Sequence, residues 1–267
     1  MQSRFTHNSD PLWFEDLSPA LKPSLRLFCF PYAGGTSQVF RKWQRHFPPE
    51  VDICLVHLPG RGKRIGERPR TRLKPLVEEI ADAMHGQLQQ AFALFGHSMG
   101  ALISFELSRE LRRRHGITPR QLFLSGHRAP HATKADPPTF NLPHDDFMLE
   151  LKRLNGTPRE LLDDAETREL FLPLLRADFE VVDTYQYLPE EALSCPLTIY
   201  SGLQDPKVQI SSLQAWRELT SGSCNIKMFP GDHFFIHSCG MDFVHTLRRD
   251  VLSVLHASIA RSPQVDL

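Results

Sequence analysis

The stretch that decides the fold runs from Ala91 to Arg114: AFALF at 91–95, GHSMG at 96–100, then ALISFELSRELRRR at 101–114. AFALF is a short, unbroken apolar run, the pattern of a strand buried on both faces. From Met99 to about Arg114 the apolar residues return at helical spacing. Between strand and helix, Gly96-His97-Ser98-Met99-Gly100 matches G-x-S-x-G. Such a match arises by chance in roughly one chain of this length in ten. The strand-turn-helix setting makes it specific. The turn is tight and strained, so the residues two before and two after the serine must be small, as Gly96 and Gly100 are. The serine is thereby lifted above the carboxyl end of the sheet. The new helix aims its first N–H groups and positive dipole end at the reacting centre. Ser98 is the expected nucleophile, and the chain holds no second G-x-S-x-G.

Outward from this unit, short apolar runs alternate with helical patterns. Strands are expected at Leu25–Phe30, Val51–Leu58, Gln121–Ser125, Leu197–Tyr200 and Asn225–Phe229. Helices are expected at Leu73–Gln90, Ser212–Leu219 and Met241–Ile259. Alternation of this kind predicts an α/β architecture, a mostly parallel central sheet flanked by helices. One segment interrupts it. Residues 129–191 open with a proline-rich stretch, Pro130 to Pro143, and continue with helical patterns near His144–Leu154, Pro158–Leu162 and Ala165–Tyr187. This segment is expected to be a helical lid inserted into a core formed by residues 1–128 and 192–267.

A serine hydroxyl is a poor nucleophile until a base takes its proton. In the α/β-hydrolase fold the partners follow in the order serine, acid, histidine. His233, in Gly-Asp-His-Phe-Phe at 231–235, lies in a loop after the last strand and is the expected base among thirteen histidines. Asp205 follows the strand LTIY directly and is the expected acid, holding the imidazole tautomer and stabilising the imidazolium. Asp232 is the competitor, but an immediate neighbour is poorly placed to turn onto the ring. His97, next to the serine, points elsewhere on the turn. Two oxyanion donors are expected. One is the backbone N–H of Met99; the other is the N–H of Ala33, in the glycine-rich turn Pro31-Tyr32-Ala33-Gly34-Gly35.

The 267 residues carry 31 basic and 31 acidic side chains, so nothing global draws the chain to nucleic acid or an anionic membrane. Arg61, Lys63 and Arg64 form one local basic cluster, which reads as either a solvated loop or an attraction for phosphate or an acidic partner. The glycines around it do not match a nucleotide fingerprint. Five scattered cysteines with no CxxC pair are expected to be reduced and buried rather than metal ligands or disulfides. The first residues show no apolar secretory run, and no stretch is long enough to span a membrane; a cytoplasmic monomer without cofactor or metal is expected.

Several segments together are similar to a known family. FCFPYAGG at 28–35, FRKWQ at 40–44, LPGRGKR at 58–64, LFGHSMGA at 94–101, LFLSGHRAP at 122–130, LPLLRADF at 172–179, SGLQDPKV at 201–208 and FPGDHFF at 229–235 resemble the type II, or external, thioesterases of polyketide and non-ribosomal peptide synthesis. The resemblance runs from about Arg26 to Leu255; it departs from the family where Asp232 stands in place of a common glycine before the histidine. It implies hydrolysis of acyl groups from the phosphopantetheine arm of acyl or peptidyl carrier proteins, the arm belonging to the substrate. Medium-chain release from fatty-acid synthesis, a general carboxylesterase and a non-catalytic carrier-binding subunit are the alternatives. Apolar lid residues such as Phe147, Leu149, Leu151, Leu154, Phe171 and Phe179 are candidates to pack or to line an acyl chamber.

Overall fold

A computed structural model describes residues 11–18, 23–133, 137–154 and 164–260. The expected helical turn at Pro158–Leu162 lies outside the described residues. The elements along the chain are β1 (Phe14–Asp16), β2 (Leu25–Phe30), β3 (Val51–Val56), α1 (Leu73–Met84), β4 (Phe92–His97), α2 (Met99–His115), β5 (Leu122–Ser125), α3 (His144–Leu154), α4 (Ala165–Asp183), β6 (Leu197–Gly202), α5 (Ile210–Gln214), β7 (Cys224–Phe229), α6 (Phe235–Ser238) and α7 (Gly240–Ala260).

The seven strands form one sheet in the order β1-β3-β2-β4-β5-β6-β7. Only the edge pair β1–β3 is antiparallel. β1 escaped the sequence reading because it is three residues long and two of them, Glu15 and Asp16, are acidic. The chain leaves β2 toward β3 on one side and returns to β4 on the other. The loops after β2 and β4 therefore diverge, which opens a crevice at the carboxyl ends of these two strands.

Alternate side chains of each strand feed opposite faces. Leu25, Leu27 and Cys29 of β2 join Ala93 and Phe95 of β4 under α7, whose Phe243, Leu247 and Val251 complete that layer. Phe28 and Phe30 join Leu94 on the other face, beneath α1 and α2. Each fully buried Leu, Phe or Val among them contributes about 1.5–3 kcal/mol. The apolar run of β2 holds one charge, Arg26, which is buried with Asp52 of β3 at 3.1 Å. Cys29, Cys54 and Cys195 are buried, whereas Cys224 and Cys239 are half-buried; all five are free thiols. No helix among the described residues is long and apolar enough to cross a membrane.

Candidate active site

The turn between β4 and α2 is the strained elbow that the motif implied. Ser98 has φ 55° and ψ −117°, and it is the one non-glycine with positive φ among the described residues. Close approach explains the flanking glycines. A methyl group on Gly96 would collide with the backbone of Gly100, and one on Gly100 with the carbonyl of Phe30 in β2. The Ser98 N–H donates to the carbonyl of Ser125 at 2.7 Å, which ties the elbow to β5.

The loops after β6 and β7 bring Asp205 and His233 to this serine. Nε2 of His233 lies 2.9 Å from Oγ of Ser98, and its Nδ1 lies 2.7 Å from Oδ2 of Asp205. A carboxylate can only accept, so Nδ1 carries the proton and the Nε2 lone pair faces the serine hydroxyl. Asp205 and His233 are 8% and 7% exposed, so little water competes for these bonds. Both ring nitrogens of His233 are taken by Asp205 and Ser98, while Asp232 Oδ1 accepts the N–H of Phe234 at 2.9 Å.

Ala33 follows β2, the strand beside β4, and lines the same cavity as Ser98. Met99 opens α2, so its N–H has no carbonyl one helical turn back to bond. The cavity holds about 300 Å³. Tyr32, Leu151, Leu154, Leu175, Phe179 and Val182 give it apolar walls, and Arg128 and Gln209 add polar ones. Of the apolar candidates between β5 and β6, Leu151, Leu154 and Phe179 reach the cavity. Phe147 is buried against Phe179, and Leu149 is turned to solvent at 65% exposure.

Three more imidazoles surround the base. His97 packs its ring 5.2 Å from that of His233 and its Nδ1 lies 2.8 Å from Oγ of Ser125. Burial, and then the neighbouring His233 and His237, hold its pKa well below the ordinary value. His127 directs Nδ1 to the carbonyl of Arg128 at 2.7 Å; burial and then the Arg128 charge lower its pKa to about 4. Burial also lowers that of His237, whose Nε2 meets the Tyr32 hydroxyl at 2.9 Å.

Two members of the basic cluster, Arg61 and Arg64, are buried rather than solvated. Arg61 is buried in a two-pronged ion pair with Asp178 of α4, both contacts at 2.6 Å. Arg64 is buried over the Trp13 ring at 3.8 Å and pairs with Glu67 at 2.6 Å. Lys63 pairs with Glu15 at 2.5 Å. Each cation has a local carboxylate, and packing rather than water surrounds Arg61 and Arg64, while Lys63 stays half exposed.

Three residues near the site were not singled out from sequence. Gly126 has φ +63°, and a methyl group there would stand 2.7 Å from Cε1 of His97 and 3.4 Å from Cε1 of His233. Lys207 donates its N–H to Asp205 and pairs its ammonium with Glu150 of α3 at 2.6 Å. Asp178 carried a readable signal, because it shares a helix face with the apolar Leu174, Leu175 and Val181. Among the described residues no cluster of His, Cys, Asp or Glu has the makings of a metal site.

Residues 25–250 match the thioesterase domain family. A protein of Brevibacillus parabrevis named linear gramicidin dehydrogenase LgrE is 44% identical over 87% of this chain and 90% of its own length. The gramicidin S biosynthesis protein GrsT of Aneurinibacillus migulanus is 42% identical over 92% of this chain and 96% of its own. Among solved structures, the type II thioesterase BorB from the borrelidin biosynthetic cluster superposes with a TM-score of 0.81 at 30% identity, covering 91% of this chain and 98% of BorB. The elbow serine, the imidazole behind it and the match along most of the sequence agree: the chain belongs to the thioesterase family and is an α/β-hydrolase acting on thioesters.

Proposed function

We propose that the chain removes acyl groups from the phosphopantetheine arm of carrier proteins in polyketide or non-ribosomal peptide synthesis, freeing arms that hold stalled or wrong loads. The observation that supports this most directly is the 2.9 Å approach of His233 Nε2 to Ser98 Oγ on the wall of an apolar chamber of about 300 Å³. The names of GrsT and BorB point to the same kind of pathway.

In this reading Ser98 Oγ attacks the thioester carbonyl while its proton passes to Nε2 of His233. The imidazolium, held by Asp205, gives that proton to the departing pantetheine sulfur as the C–S bond breaks. Water then attacks the acyl-serine, giving its proton to the same nitrogen. That proton returns to Ser98 as the acid leaves. The N–H groups of Ala33 and Met99 hold the oxyanion in both halves, each contributing about 2.7–4 kcal/mol to the transition state. The enzyme works in the cytoplasm as a monomer and needs no cofactor of its own. Residues 129–191 serve as the lid of the acyl chamber.

Mass spectrometry of carriers loaded with short, medium-chain and aminoacyl groups, before and after exposure to the enzyme, tests the reading. Short and aminoacyl loads are expected to disappear faster than medium chains, and Ser98→Ala to abolish turnover while still binding the carrier. Preference for medium chains would instead indicate fatty-acid release. Cleavage of p-nitrophenyl esters with carriers left loaded would contradict the proposal, as would undiminished turnover by Ser98→Ala.

A further inference from the structure

The oxyanion loop is gripped from the inserted segment. Tyr32 to Gly35 form a β-turn, closed by the Gly35 N–H donating to the Tyr32 carbonyl at 2.9 Å. Gly34 stands at its third position with φ +74°, as a type II turn requires. The Gly34 N–H donates to Oδ2 of Asp178 at 2.7 Å. Asp178 is not part of the core: it lies on α4 and is 1% exposed. Its charge is balanced by Arg61, from the loop after β3, which also reaches the Gly35 carbonyl at 3.4 Å. Leu175, one turn earlier on α4, packs against Gly34 so closely that a methyl group there would collide with it.

We propose that the Arg61–Asp178 pair is a positioning device that sets the Ala33 N–H for the oxyanion and does so only while α4 is seated on the core. The inference rests on the Ala33 assignment above and deepens it. The physical reason is the chemistry of the central peptide of the turn. That peptide can flip between two forms at small cost, and an ionised acceptor on its N–H selects one. Arg61 pairs with both oxygens of the buried carboxylate, so the acceptor cannot swing away. Ala33 is the adjoining residue of the same turn. Loss of the grip moves its N–H off the oxyanion, and a displacement near 1 Å is enough to cost about a hundredfold in rate.

Two variants separate this role from simple anchoring. Asp178→Asn keeps an acceptor oxygen but strands the Arg61 charge. The double variant Arg61→Met with Asp178→Leu removes both charges, a change that buried pairs often tolerate, and leaves Gly34 without its acceptor. Each is assayed for carrier-thioester hydrolysis and for binding of two acyl analogues. One is a trifluoromethyl ketone that traps Ser98 as a tetrahedral oxyanion; the other is an unreactive thioether. Asp52→Asn, in the buried Arg26–Asp52 pair outside the site, is the control for stability loss alone. The double variant is expected to keep its melting temperature within a few degrees and KM within about twofold, while kcat falls by about ten- to a hundredfold, less than outright deletion of a donor. Ketone affinity should fall with kcat/KM and thioether affinity should hold. Wild-type kcat in the double variant would overturn the proposal. So would parallel weakening of both analogues with the loss confined to KM, or failure of both variants to fold. Wild-type enzyme that leaves carriers loaded would strike instead at the carrier reading.

Discussion

Asp205 divides its carboxylate between two N–H donors: Oδ2 takes Nδ1 of His233 at 2.7 Å and Oδ1 takes the backbone amide of Lys207 at 2.8 Å. Both oxygens are committed as acceptors, and that gives Asp205→Asn a defined consequence. The asparagine oxygen can satisfy one donor only. With the oxygen on Lys207, the side-chain amide faces His233 and donates to Nδ1, which moves the imidazole proton to Nε2 and leaves no lone pair for Ser98. We expect kcat on an acyl-carrier thioester to fall by about 10⁴-fold with the fold intact, as judged by circular dichroism and stopped-flow turnover. A loss under tenfold would show that Asp205 does not set the tautomer.

Gly126 is expected to accept no side chain. Gly126→Ala requires positive φ of an L-residue and drives a methyl group toward the His97 ring, which in turn lies against His233. Stability should drop by about 1–3 kcal/mol in urea titration, and kcat should fall at least as far as the His97 and His233 rings are displaced. A variant with wild-type stability and turnover would mean that the ring stack yields freely.

The ion pair between Lys207 and Glu150 joins the loop of Asp205 to α3. The hydrogen bond from Arg153, opposed by burial and helped by Lys207, holds the Glu150 pKa at about 2. Glu150→Gln should loosen this edge by about 1 kcal/mol, seen as roughly fivefold faster amide exchange across His144–Leu154. Exchange unchanged within error would show that the apolar contacts alone seat α3.

Stability should decline as pH falls below about 6.5. His127 titrates near 6.5 when unfolded but at about 4 in the native state, and His97 is shifted the same way. Above 6.5 both states are neutral at these positions. Below it the unfolded chain takes up protons that the native chain refuses, at about 1.4 kcal/mol per pH unit for each histidine. Glu150 adds to the decline from about 4.5 downward, because its ionised native form is lost only near 2. Denaturant midpoints at pH 7.5, 6.0 and 5.0 measure the slope, and His127→Gln should make it shallower by about one proton. Equal slopes in both proteins would remove His127 as the source.

The sequence by itself determined what neighbouring residues control. AFALF, GHSMG and the helix after them are adjacent, so the strand, the strained turn and the serine at its apex could be read from composition and spacing. Chain order and strand ends were enough to choose Asp205 and His233, because a parallel sheet delivers every strand's carboxyl end to one side. β1 was invisible because three residues with two acids carry no periodicity. The tertiary structure alone decided the partners of charged groups. Arg61 and Asp178 are 117 residues apart, and nothing local says that they meet. The same holds for Lys207 with Glu150 and for Gly126 beneath two imidazoles. Each of these contacts depends on how α3 and α4 seat on the sheet and how its loops converge, a matter of long-range packing that no short window of sequence contains.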